Sequence, residues 1–237
     1  MDDVFISKET MKRILSDVKE IYKNPLEEHG IYYKHDEDNI LKGYIMIIGP
    51  SDTPYQYGYY FFYITFPDNY PYNPPVVKFQ SNPYNVRFHP NFYRNGKVCL
   101  SLLNTWKGEQ WTSCQSLSSV LLTMCSVMTI NPLLNEPGIS LRHRDNIPFN
   151  KIITYQNINF SIIDMITNDN IQKEFKIFND SMIKNYKKNK DNINKLMDTL
   201  RDKYKDETTL STGIYSMVTK VCYNTLLTKY ETIKKKY

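Results

Sequence analysis

Four short strand-like runs, each bounded by turn residues and all following one amphipathic helix, restrict this chain more than any other feature. Residues Lys8 to Lys23 place Met11, Ile14, Leu15, Val18, Ile21 and Tyr22 at intervals of three and four, an apolar stripe on a helix. Ser7 can cap it, because its hydroxyl can accept from the free amides of the first turn, and Asn24-Pro25 ends it. Ile31–Lys34, Leu41–Ile48, Tyr59–Phe66 and Val76–Phe79 then follow as apolar, β-branched or aromatic runs. The second closes at Gly49-Pro50 and the third at Pro67. One helix and four successive short strands predict an antiparallel meander packed on that helix.

From Asn82 to Gln115 the patterning fades. A long stretch of that kind inside a compact domain is uncommon and often functional. Helical spacing returns over Ser116–Met128 and stops at Asn131-Pro132. The remainder reads as helical throughout, with segments at Tyr155–Ile166, Ile171–Tyr186, Ile193–Lys203 and Tyr215–Ile233. Lys184–Lys190 is read as a charged join and Glu207–Gly213 as a polar linker. The layout is α+β.

The net charge of +5 is unevenly placed. From Met182 onward there are 13 Lys or Arg against 6 Asp or Glu, whereas residues 1–181 hold 17 against 19. A basic tail can attract nucleic acid, but the simpler reading is a solvated helical face, so nucleic acid is not an expected partner. The start Met1-Asp2-Asp3-Val4 lacks the basic residues and apolar run of a secretory signal, and no stretch reaches membrane-spanning length. The expectation is a soluble protein with reduced thiols, cytoplasmic and able to be nuclear, with no membrane partner. Cys99, Cys114, Cys125 and Cys222 form no Cys-x-x-Cys pair and no zinc-like spacing with histidine. No metal, nucleotide or organic cofactor is suggested.

Local signatures accumulate in one order: Gly49-Pro50, Thr53-Pro54-Tyr55, Phe66-Pro67, Tyr70-Pro71, Pro74-Pro75, His89-Pro90-Asn91, Gly96-Lys97-Val98-Cys99-Leu100, Trp106 and Asn131-Pro132. In this series, and in His89 standing ten residues before Cys99, the chain resembles the catalytic core of ubiquitin-conjugating enzymes over roughly residues 8–166. The stretch Val98 to Trp106, then Trp111, Ser116–Leu121 and Asn135-Glu136-Pro137-Gly138, resembles the large Z-like branch, whose members add helices after the core. The implied organisation is a catalytic core over 1–166 and a helical, basic extension over 167–237.

The resemblance implies that Cys99 carries ubiquitin or a ubiquitin-like protein as a thioester and passes it to a lysine amine of a protein substrate. Thiol chemistry suits this step, since a thiolate both attacks and leaves readily, whereas a serine ester resists aminolysis. Cys99 follows the turn signal Asn95-Gly96, which predicts an exposed, extended segment for it. Asn91 is implied as the donor that stabilises the oxyanion, and its amide can equally hold its own loop through the backbone. His89 is read as structural support for that loop. Many relatives carry an aspartate after the Asn-Pro step; here Asn131-Pro132 leads to Asn135 and Glu136, which leaves Glu136, Asn135 and Asn131 as candidates for assisting the lysine. Ser101 also departs from the family, replacing a common acidic residue. Cys114, Cys125 and Cys222 are read as structural.

By resemblance, Lys8, Lys12 and Arg13 would meet a ubiquitin-activating enzyme. Tyr72, with Lys107, Gly108 and Glu109 on the second loop, would meet a RING-type ligase. A solvated helix face explains the three cations equally well. The alternative of a different class is a non-catalytic ubiquitin-binding variant of the same fold. A cysteine hydrolase is disfavoured, because no histidine base is signalled beside Cys99.

Overall fold

The computed structural model describes residues 6–81, 86–167 and 171–237; the opening residues Met1–Val4 and the start of the unpatterned stretch at Asn82 lie outside them. Helix α1 (Lys8–Lys23) begins where expected: Ser7 is extended, and its Oγ accepts from the Thr10 amide at 3.0 Å. The helix buries Ile14, Val18 and Ile21, while Leu15 and Tyr22, grouped with them by spacing, remain exposed at the edge of the stripe. Tyr22 reaches out to accept from the His35 amide.

The strands β1 (Ile31–His35), β2 (Lys42–Ile48), β3 (Tyr59–Thr65) and β4 (Val76–Phe79) form one antiparallel sheet in sequence order. Ile31 pairs with Ile47, Ile45 with Phe62, and Phe62 with Phe79. Strand β3 shows no polar alternation because both of its faces are covered. On one, Phe62 meets Phe79 and Phe92 with ring centroids 5.1 Å away in each case. On the other, Phe61 and Tyr63 lie 5.0 and 4.8 Å from Phe175, a residue of the C-terminal region.

Helix α2 (Leu117–Ser126) is closed at its start by a reciprocal Ser116–Ser119 capping box and buries Leu117, Val120, Leu121 and Met124. Asp17 joins α1 to this region: its carboxylate accepts from Arg13 Nε at 3.0 Å, from the Leu117 amide at 3.3 Å and from the Tyr70 hydroxyl.

Beyond the core, α3 (Asn146–Gln156) continues through a π-helical stretch (Asn157–Asp164) into the short α4 (Met165–Thr167). A 3-10 segment (Lys173–Phe178) leads into α5 (Asn179–Lys203), which runs unbroken through the expected join at Lys184–Lys190. The expected linker and the start of the last helix are instead a β-hairpin, β5 (Thr208–Thr212) with β6 (Met217–Val221); α6 (Tyr223–Lys236) begins only after it. Met217, Thr219 and Val221 are buried while Val218 and Lys220 face out, so burial follows a period of two. The C-terminal region is thus not helical throughout. Its Phe175, Phe178, Met182, Tyr186, Met217 and Tyr230 belong to the same continuous hydrophobic cluster as the sheet and α1. Among the described residues no helix is long and apolar enough to cross a membrane.

Candidate active site

The loop after β4 turns back on itself and brings Asn91 beside Cys99. Gly96 (φ 85°) supplies the left-handed residue of the turn, its carbonyl accepts from the Phe79 amide at 2.8 Å, and Tyr93 N donates to Lys97 O at 2.8 Å. Cys99 N then donates to Asn91 O at 2.8 Å, and Asn91 Nδ2 donates to Cys99 O at 2.5 Å. The Asn91 side chain therefore braces the cysteine segment. Its Oδ1 is buried with no partner among the described residues.

Cys99 is not in an exposed segment: 3% of it is accessible. Its Sγ donates to the Thr105 carbonyl at 2.8 Å, and Thr105 Oγ1 accepts from the Leu100 amide at 2.9 Å while lying 3.0 Å from Val98 O. The turn signal correctly marked a reversal, but the chain folds Thr105 back over the thiol. Attack by sulfur requires that S–H···O bond to open.

His89 is fully buried. Burial pushes its imidazole down to about 3, so the ring is neutral. Nε2 donates to Val127 O at 2.9 Å, and Nδ1 accepts from the Asn91 amide at 3.0 Å. A neutral ring with both nitrogens engaged holds the loop in place. Asn135 Nδ2 donates to Pro132 O and Val127 O at 3.2 and 3.3 Å, which puts the post-α2 loop against His89.

Glu136 is held by a partner that sequence reasoning did not foresee. Its Oε2 accepts from the Tyr215 hydroxyl at 2.5 Å. Asn131 precedes the 3-10 turn Pro132–Asn135; the Asn150 amide donates to the neighbouring Ile130 carbonyl at 3.0 Å and stands 3.5 Å from Asn131 Oδ1.

Of the candidate docking residues, Lys8 and Lys12 are exposed on α1, as are Lys107 and Gly108 on the loop after Cys99, and Tyr72 is 78% exposed. Trp111 Nε1 donates to Pro71 O at 2.6 Å and so staples the Tyr72 loop to the second loop, where Trp106 is partly exposed. Arg13 departs from expectation. Besides Asp17 it donates through Nη1 to Ser113 O at 2.7 Å and through Nη2 to Gln115 O, and it stands over the Tyr70 ring. It is an internal tie, since a guanidinium's fan of donors suits several carbonyls at once. Cys114 is exposed and not a core residue. Cys125 is half-buried, with its thiol pushed up by burial, and the Thr225 hydroxyl lowers the Cys222 thiol at the start of α6.

Thr105, Arg87 and Tyr215 were missed as site residues. Thr105 lies in the stretch Val98–Trp106 that resembles the Z-like branch; Arg87 grips the nearby His89 and Pro90 carbonyls but no pattern in the sequence marks it, and Tyr215 carries no local signal because its partners Arg87, Arg94 and Glu136 are far away in sequence. Among the described residues no group of three or more metal-ligating side chains comes together.

A family model described as ubiquitin-conjugating enzyme matches residues 13–141. The chain is similar to ubiquitin-conjugating enzyme E2 Z of Xenopus tropicalis, 43% identical over 168 residues, which cover 70% of this chain and 53% of that protein. It is similar to ubiquitin-conjugating enzyme E2 Z of Homo sapiens, 45% identical over 157 residues, covering 65% and 44%. It is also similar to probable ubiquitin-conjugating enzyme E2 R521 of Acanthamoeba polyphaga mimivirus, 35% identical over 179 residues, covering 69% of this chain and 12% of that protein. The chain thus spans about half the length of the first of these relatives.

Proposed function

The chain belongs to the ubiquitin-conjugating enzyme family, and from that premise we propose that it carries ubiquitin or a ubiquitin-like protein as a thioester on Cys99. In the first step the Cys99 thiolate attacks the carbonyl carbon of the activating enzyme's thioester, and that enzyme's cysteine leaves as its own thiolate. In the second, a substrate lysine amine attacks the Cys99 thioester, an amide forms, and Cys99 departs as thiolate while the amine loses its proton to solvent or a nearby base.

The observation that carries this reading is the pairing of Cys99 with Asn91 across one tight reversal, fixed by the two bonds of 2.8 and 2.5 Å. A primary amide has two N–H donors. One goes to Cys99 O; the other is the group that would stabilise the oxyanion of the second step, a kind of donor whose loss costs about 2.7–4 kcal/mol elsewhere. A neutral His89 supports the loop and takes no proton. The exposed Tyr72, Lys107 and Gly108, stapled together by Trp111, suit a RING-type ligase, an exposed aromatic being a good anchor for a small interface. Lys8 and Lys12 remain as cations for an activating enzyme's acidic surface; Arg13 does not.

Burial of Cys99 favours a second reading, a non-catalytic ubiquitin-binding variant of the fold. The two are separated by incubating the chain with ATP, a panel of modifiers and their activating enzymes, then running non-reducing gels. A band that thiol reductant removes, and that becomes reductant-resistant in Cys99→Ser, is expected. No thiol-sensitive band with any pair would leave only the binding role.

A further inference from the structure

The tip of the C-terminal hairpin lies against the segment that carries Asn91, and the contacts are specific. Arg94 Nη2 donates to the Tyr215 carbonyl at 2.5 Å. The buried Arg87 guanidinium stands over two rings, 3.5 Å from the centroid of Tyr93 and 4.9 Å from that of Tyr215. The same guanidinium donates through Nε to His89 O at 3.0 Å and through Nη2 to Pro90 O at 2.5 Å, the two carbonyls immediately before Asn91. On its far end, the Tyr215 hydroxyl bonds Glu136 on the loop after α2.

The backbone supports a special role for this residue. Tyr215 (φ 64°) and Ser216 (φ 47°) are two successive left-handed residues, neither of them glycine. Side chains resist that conformation, and it persists only where the surroundings over-determine it. Here Asp145, itself buried, accepts from the Ile214 amide at 2.8 Å and fixes the entry to the turn.

We propose that Tyr215 is a positioning residue for lysine transfer: held between Arg87 and Glu136, it lets the C-terminal hairpin set where Asn91 stands relative to Cys99. The inference rests on the thioester reading above. It acts through Arg87, which holds the backbone of His89 and Pro90, and not by contact with the reacting atoms.

The test uses the full chain and two variants. Tyr215→Phe removes only the bond to Glu136; Tyr215→Ala also removes the ring beneath Arg87. Charging of Cys99 and single-turnover discharge to free lysine are measured separately, together with amide hydrogen exchange. For Tyr215→Ala, discharge is expected to fall about tenfold while charging stays within about twofold, since small misplacements of a catalytic group lower rates steeply. Tyr215→Phe is expected to fall between this variant and the unaltered chain. Exchange should rise in residues 87–94 and stay unchanged in the β2–β3 ladder. Equal loss of charging and discharge, or unaltered exchange over 87–94, would overturn the proposal. If the unaltered chain never charges, the thioester reading has failed, and the exchange measurement alone decides whether Tyr215 positions the loop.

Discussion

The segment from Arg87 to Thr105 and the hairpin tip from Gly213 to Met217 touch one another yet are held in opposite ways. The first is closed largely by its own backbone: Gly96 N to Tyr93 O, Tyr93 N to Lys97 O, Cys99 N to Asn91 O and Leu103 N to Leu100 O. The second is held across great distances in sequence, by Glu136, Arg94, Asp145 and the contact of the Arg87 amide with Met217 Sδ at 3.3 Å. A loop closed by its neighbours keeps its backbone pairing when remote parts change, while the fine placement of its side chains still answers to the groups packed against it. A turn closed by remote partners depends on the whole fold, and in return it can couple distant parts.

Three changes probe this contrast, beginning with the largest effect. Phe175 is buried against Tyr44, Phe61 and Tyr63, so Phe175→Ala should destabilise the whole chain by about 3–5 kcal/mol. Denaturant unfolding should remain a single transition. Two separated transitions, only one of them shifted, would show that the extension is an independent unit and break the contrast.

Asn91→Ala should do the reverse. Discharge of the Cys99 thioester to lysine should fall about a hundredfold, whereas the denaturation midpoint should move far less than for Phe175→Ala. The lost bond spans only eight residues and closes a loop already tied by its backbone. Discharge at the unaltered rate would confine Asn91 to the brace on Cys99 O and rule out the proposed oxyanion role.

The smallest effect concerns His89, which joins the local loop to α2. Burial holds its folded pKa at about 3, below the ordinary 6.5. The folded state therefore binds fewer protons than the unfolded chain between those values. Its contribution to stability is complete above pH 6.5 and is lost as pH falls towards 3, on the order of 1–2 kcal/mol by about pH 5. His35, also lowered by burial, adds to the same trend. Stability measured from pH 7 to pH 5 should decline less steeply in His89→Gln; an identical slope would mean the ring does not titrate in this way.

How much could be read in advance follows the same division. The meander and the capped first helix were legible because strand runs and Ser7 act over a few residues, and the closeness of Asn91 to Cys99 was legible as what the family resemblance implies. The tail was misread over 207–221. Met217–Val221 is a period-two segment only five residues long, too short to outweigh the helical spacing of the residues that follow it. The burial of Cys99 was misread as well, since the residue that covers it, Thr105, does so through a backbone carbonyl that every amino acid possesses.

Sequence alone determined the family, the α+β class and which cysteine stands beside which asparagine. The class follows from turn chemistry and apolar periodicity, both properties of neighbouring residues; the family and the pairing of Cys99 with Asn91 follow from the ordered motifs the chain shares with ubiquitin-conjugating enzymes. Only the tertiary structure decided that Arg13 is an internal tie, that Phe175 covers the second face of β3, and that Tyr215 bridges Arg87 to Glu136. Those contacts join residues between about 80 and 130 positions apart, and side chains that meet only because the whole chain has folded impose no periodicity on their own neighbours.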